Sequence, residues 1–92
     1  MAELIDNTTR SRYEMTQEGQ LTHLDYTREQ GHLTLHYIKV PRELEGRGFA
    51  ADLLRAVLGQ AREQGLKVIP ICSYVQTFLR RHPEYADLLA NT

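Results

Sequence analysis

Between residues 40 and 50 the hydrophobic pattern of this chain changes period, and the change falls on a glycine-rich loop. Upstream, apolar and polar residues alternate. Tyr13 and Met15 share a face within Arg10 to Gln17, Thr22, Leu24 and Tyr26 within Gln20 to Arg28, and Leu33, Leu35 and Tyr37 within His32 to Val40. Downstream, Ala50, Leu53, Leu54, Val57, Leu58 and Ala61 recur at steps of three and four, with Asp52, Arg55, Gln60, Arg62 and Glu63 between them. Alternation is the mark of a half-buried strand, and a period of about 3.6 that of an amphipathic helix. The chain must therefore pass from a sheet straight into a helix, which leaves few folds open.

The punctuation supports this. Glu18-Gly19 and Gln30-Gly31 are turn dipeptides between alternating runs, so the three strands form an antiparallel meander. Pro41 ends the third strand by removing an amide donor. Gly65 follows the helical stretch as its C′ residue. Leu66 to Cys72 contains Val68-Ile69-Pro70-Ile71, a short apolar strand whose proline points to an edge or a bulge. Ser73 is a cap for a helix with the inner face Val75, Phe78 and Leu79. His82-Pro83 breaks that helix, and Pro83 suits the first turn of a last one carrying Tyr85, Leu88 and Leu89. The expected order is β-β-β-α-β-α-α. The fold class is α+β: a twisted, mostly antiparallel sheet, one long helix packed on a face, and short C-terminal helices.

Ninety-two residues suit one small domain, expected to span residues 1–92. With 41% hydrophobic and 25% charged residues the composition is that of a globule and not of a disordered tail. Eleven Lys and Arg against twelve Asp and Glu give a net charge of −1, which argues against a nucleic-acid module and its basic stripe. No apolar run approaches the length of a membrane span, and the polar start MAELIDNTTR is unlike a signal peptide, so no membrane partner is expected. The single cysteine, Cys72, has no intramolecular disulfide partner, and a cytoplasmic setting is expected.

Chemistry is best sought where the period changes, in Val40-Pro41-Arg42-Glu43-Leu44-Glu45-Gly46-Arg47-Gly48-Phe49-Ala50. Two glycines one residue apart let backbone approach a ligand closely and turn amides inward. The helix start adds unpaired N–H groups and a positive dipole end, a combination that favours phosphate. Arg47 between them offers a charge for a bidentate contact. The same spacing is met by a tight strand-to-helix connection that binds nothing. It is not a P-loop, because no Gly-Lys-Ser/Thr follows, and a meander is not the βαβ unit of a dinucleotide fold.

Gly46-Arg47-Gly48-Phe49-Ala50, after a meander and opening an amphipathic helix, resembles the acetyl-CoA loop of the GNAT N-acetyltransferase superfamily. That signature runs Gln or Arg, two residues, Gly, one residue, Gly or Ala. Gly46 and Gly48 fill its last two slots, and Glu43 stands where Gln or Arg is usual. Together with Val40-Pro41, Gly65-Leu66-Lys67-Val68, Pro70-Ile71-Cys72 and Arg81-His82-Pro83-Glu84-Tyr85, the pattern is similar to the small branch of that superfamily that lacks the usual first helices. The resemblance implies that acetyl-CoA is the co-substrate. It maps the pantetheine arm onto the backbone of Ile38, Lys39 and Val40, and the pyrophosphate onto the amides of Gly46, Arg47, Gly48, Phe49 and Ala50. It puts the thioester in a splay between that strand and Leu66 to Cys72.

Cys72 ends the second of these strands just before a helix, where amides favour an anionic sulfur. The resembling branch carries a cysteine there, which makes Cys72 the candidate catalytic nucleophile or a wall of the thioester site; a lone cysteine is otherwise a core residue. Tyr74 and Tyr85 are candidates for protonating the leaving thiolate. Arg81, in the basic run Arg80-Arg81-His82, is a candidate for the 3′-phosphate of CoA, and His82 itself reads as a turn residue before proline. His32 and His36 share a strand face, with His23 on the neighbouring strand, but no cysteine or carboxylate completes a ligand set and no metal is expected. The expected function is acetyl transfer from acetyl-CoA to an amine. A protein or peptide amine is favoured as acceptor, since the missing first helices leave the acceptor side open. The alternative is a CoA-binding or protein-interaction module without catalysis.

Overall fold

The structure is a computed structural model that describes residues 3–90. Among these, five strands make one sheet in sequence order: β1 (Ile5–Asn7), β2 (Arg12–Gln17), β3 (Gln20–Glu29), β4 (His32–Lys39) and β5 (Lys67–Pro70). The first four pair antiparallel, and β5 pairs parallel to β4. A parallel neighbour requires a crossover, and α1 (Phe49–Glu63) supplies it. Then follow α2 (Ser73–Arg81) and a 3-10 helix, Pro83–Leu88.

The core forms where α1 lies on one sheet face. Leu53, Leu54, Val57, Leu58 and Ala61 bury the helix stripe against Tyr13, Met15, Leu24, Tyr26, Leu33 and Leu35. Val75, Phe78 and Leu79 of α2 close it at the β5 side. α1 ends in a Schellman arrangement, with the Leu66 amide on the Ala61 carbonyl and the Gly65 amide on that of Arg62.

Five expectations need correction. β1 is an additional strand, too short and too polar for any alternation to reveal it, and β2 begins at Arg12 because Ser11 turns with φ 52°. The last helix is 3-10 throughout. Cys72, not Ser73, is the N-cap of α2, and its side chain makes no capping bond. Tyr37 does not join Leu33 and Leu35 on the inner face. The register passes from Tyr26↔Leu35 to Asp25↔Tyr37, so His36 is the extra residue of a β-bulge. The bulge reverses the alternation, turns Tyr37 out to solvent and brings Ile38 onto the core opposite Leu24.

Candidate functional site

β4 outlasts its parallel neighbour. The last β4–β5 pair is Leu35 with Pro70, after which β5 ends. The Leu35 carbonyl accepts the amides of Ile71 and Cys72, both at 3.0 Å, and the chain then enters α2. From His36 onward the β5-facing edge of β4 is left open, a splay of the kind expected.

At the far end of that edge, a short 3-10 turn (Arg42–Leu44) anchored by buried Leu44 leads into the glycine loop. Gly46 and Gly48 have φ of 80° and 82°, a left-handed backbone that costs other L-residues roughly 1–2 kcal/mol. No heavy atom lies within 4 Å of the Cβ position of either glycine, so backbone angle and not crowding demands glycine here. Gly48 is the N-cap of α1, and the Asp52 amide on the Gly48 carbonyl at 3.1 Å is the first bond of its ladder. The amides of Phe49, Ala50 and Ala51 precede that bond and point out of the helix start with its positive dipole end.

These pieces enclose a cleft of about 380 Å³ lined by Ile38 and Val40 of the β4 end, Gly46, Gly48, Phe49 and Ala50 of the loop, and Tyr74 of α2. Glu45 and Leu44 complete the wall. Lys39 is exposed and does not line it, so this residue can contribute only through its backbone. The Arg47 side chain has a partner outside the loop. Its guanidinium turns toward the β2–β3 turn, 3.2 Å from Glu18 Oε1, and lies over the Phe49 ring. Solvent screens such an exposed pair, so the side chain is only loosely committed there.

Tyr74 is the one cleft phenol. Burial pushes its pKa above the ordinary tyrosine value, an effect the Arg55 charge opposes only in part. It therefore stays protonated at neutral pH and able to donate. Its ring also borders an adjoining cavity of about 160 Å³ that holds Arg55, Arg81 and His82. Arg81 thus lies beside the cleft and not in it, in the company of a second cation. Cys72 is half-buried at the head of the splay, held by its amide to Leu35. Tyr85 does not line the cleft: the Arg62 guanidinium covers its ring, which lies 5.9 Å from that of Phe78. His82 stacks on Phe78 with centroids 4.1 Å apart, as a residue closing a helix. His23, His32 and His36 do not converge; they bond separately to Asp25, the Gln30 carbonyl and Thr27.

Two residues escaped sequence reading. Arg55 shares the second cavity, and its place about two turns into α1 from the loop was the available signal. Gln17 is buried at 6% exposure, and its Nε2 donates to the Phe49 carbonyl at 3.3 Å. The Thr22 hydroxyl lies 2.8 Å from both Gln17 Oε1 and the Met15 carbonyl. This chain of bonds ties the first turn of α1 to β2 and β3. A polar residue on an otherwise apolar strand face was its only trace.

Comparison with known proteins agrees with this geometry. The profile of the GCN5-related N-acetyl-transferase family matches residues 12–88. The solution NMR structure of a GCN5-like candidate N-acetyltransferase from Staphylococcus aureus superposes with a TM-score of 0.74 at 25% identity, over 98% of this chain and 89% of that one. No curated protein matches the chain.

Proposed function

Since this chain belongs to the GCN5-related N-acetyltransferase family, we propose that it binds acetyl-CoA in the cleft between β4, the glycine loop and α2, and transfers the acetyl group to an amine. The observation that carries the proposal is the loop itself: left-handed Gly46 and Gly48 at the start of α1, with open space above them, at the end of a strand edge that lacks a partner.

Each part of the substrate meets a matching chemistry. The pyrophosphate suits the amides of Gly46 to Ala50, Arg47 among them, at the positive dipole end of α1. The pantetheine amides suit the backbone of Ile38, Lys39 and Val40, in the manner of an added strand. Arg55 and Arg81, which line the cavity adjoining the cleft at Tyr74, are candidate cations for the 3′-phosphate. The thioester would lie at the splay between Cys72 and Tyr74, and Tyr74 is a protonated phenol ready to meet the departing sulfur. An amine of a protein or peptide is the favoured acceptor, because the sheet face opposite α1 is lined by exposed and half-buried side chains and leaves room for a large one.

Calorimetry with acetyl-CoA and CoA, followed by thiol release across a panel of primary amines, tests the reading. Binding with turnover on at least one amine is expected. Binding without turnover on any amine favours a CoA-binding module without catalysis, and no binding removes the cofactor assignment. Cys72→Ser separates two mechanisms. If Cys72 carries the acetyl group, the variant loses turnover by orders of magnitude with CoA affinity unchanged, and only the wild type gains one acetyl mass from acetyl-CoA. Normal turnover by the serine variant leaves direct transfer and reduces Cys72 to a wall of the site.

A further inference from the structure

The bulge in β4 does more than reverse the alternation. It sets two consecutive side chains, His36 and Tyr37, exposed on the sheet face turned away from α1, opposite the single residue Asp25. His36 is also the first residue of β4 beyond its last pair with β5, so it stands at the head of the splay. Its ring is held, with Nε2 2.8 Å from Thr27 Oγ1. When Nε2 donates its hydrogen to that oxygen, Nδ1 carries the free lone pair. Asp25, opposite the bulge, is a half-exposed carboxylate of the sign that draws an ammonium ion. Two exposed apolar residues stand next to it in the sheet: Tyr37, 51% exposed, follows His36 directly, and Ile71, 56% exposed, bonds through its amide to the Leu35 carbonyl that precedes His36.

From this juxtaposition we infer that His36 takes the proton from the acceptor amine, that Thr27 is its positioning residue, and that Tyr37 and Ile71 pack an aliphatic stem such as that of lysine. The inference rests on the acetyl-transfer reading above. The acceptor arrives as an ammonium ion and gives one proton to His36 Nδ1. The freed lone pair forms the new C–N bond to the acetyl carbon as the C–S bond breaks. The sulfur leaves with the bonding pair and takes the proton of the Tyr74 hydroxyl, Tyr74 regains a proton as the amide nitrogen sheds its second one, and His36 releases its own to solvent. The other histidines are worse placed. His23 is bound to Asp25 and lies opposite Lys39, whereas His32 lies at the start of β4, opposite Lys67 and within its paired stretch.

The test uses Nα-acetyl-lysine methylamide as acceptor and reads thiol release. His36→Gln is expected to lower kcat at least ~100-fold and leave the acetyl-CoA Kd measured by calorimetry unchanged. Added imidazole should restore part of the rate to His36→Ala and none to the wild type. Thr27→Val should lower kcat about 3–10-fold with the KM for the lysine probe unchanged, because the ring remains but loses its anchor. A folded His36→Gln protein with wild-type kcat overturns the assignment. So does a loss of rate that is matched by a loss of acetyl-CoA binding, or that imidazole fails to repair. Absence of turnover by the wild type, on this probe and on the amine panel alike, overturns the acetyl-transfer reading itself, and His36 falls with it.

Discussion

Two ends of the sheet treat their polar groups in opposite ways. At the β1 end, Asp6, Tyr13, Tyr26 and Arg28 form a closed network. Arg28 donates to Asp6 at 2.9 Å and to the Tyr13 hydroxyl at 2.8 Å, and the Tyr26 hydroxyl donates to Asp6. Tyr13 and Tyr26 rings lie 4.6 Å apart beneath it. At the β4–β5 end, a strand edge, a helix start and two left-handed glycines leave backbone groups facing an open cleft. Buried polar groups without partners are costly, so a closed network holds the fold together, and unmatched backbone facing solvent is where a ligand can complete the pattern. The contrast separates what holds this chain folded from what leaves room for a ligand.

The largest expected effect falls on the closed end. Burial, reinforced by the Asp6 carboxylate, pushes the Tyr26 pKa up to about 12 from the ordinary 10. The folded state keeps this proton after the unfolded chain has lost it, so the stabilisation is full below pH 10 and disappears as pH rises from 10 through 12. The shift corresponds to roughly 2–3 kcal/mol over that window. Denaturant midpoints of the wild type should fall faster than those of Tyr26→Phe across it. Parallel curves for the two proteins would mean that the network does not hold that proton.

A smaller effect, at the open end, should change binding and leave the fold in place. Gly48→Val puts a β-branched residue at φ 82° and a side chain into the space above the loop. CoA affinity should drop at least ~10-fold, about 1.4 kcal/mol. Circular dichroism should report a folded protein, and Gly48→Ala should give a weaker version of the same loss. Unchanged affinity in either folded variant would break the contrast between the two ends.

The smallest effect concerns the strand edge. Lys39 faces away from the cleft, so Lys39→Ala should change CoA affinity by less than ~1 kcal/mol. Lys39→Pro removes the amide and should disturb either binding or the sheet. Loss of binding in the alanine variant with retention in the proline variant would show that the side chain, not the backbone, meets the ligand.

How legible each end was in the sequence follows from the range of the forces involved. The open end is local: strand, proline, two glycines and an amphipathic helix occupy consecutive residues, so the strand-to-helix loop was readable from spacing, and the family resemblance supplied the individual amides of Gly46 to Ala50. The closed end joins residues that are far apart in the chain, Asp6 with Arg28 and Tyr13 with Arg28, and β1 carried no period to announce it. The bulge at His36 was invisible for a third reason. Both phases of the alternation offered an apolar residue, Tyr37 in one and Ile38 in the other, and only the packing of Ile38 opposite Leu24 decides between them. Arg47 illustrates the limit of spacing: its neighbours in sequence are the loop glycines, but its ion-pair partner is Glu18, on the β2–β3 turn.

The most direct measurement is a titration of the ¹⁵N-labelled protein with CoA, followed amide by amide. The account predicts that the large shift changes fall on Gly46 to Ala50, on Ile38 to Val40 and on Cys72 and Tyr74, while Asp6, Tyr13, Tyr26 and Arg28 stay still. Changes centred instead on the groove between Pro70, Gln76 and Leu89, or spread over the closed network with the glycine loop silent, would contradict it.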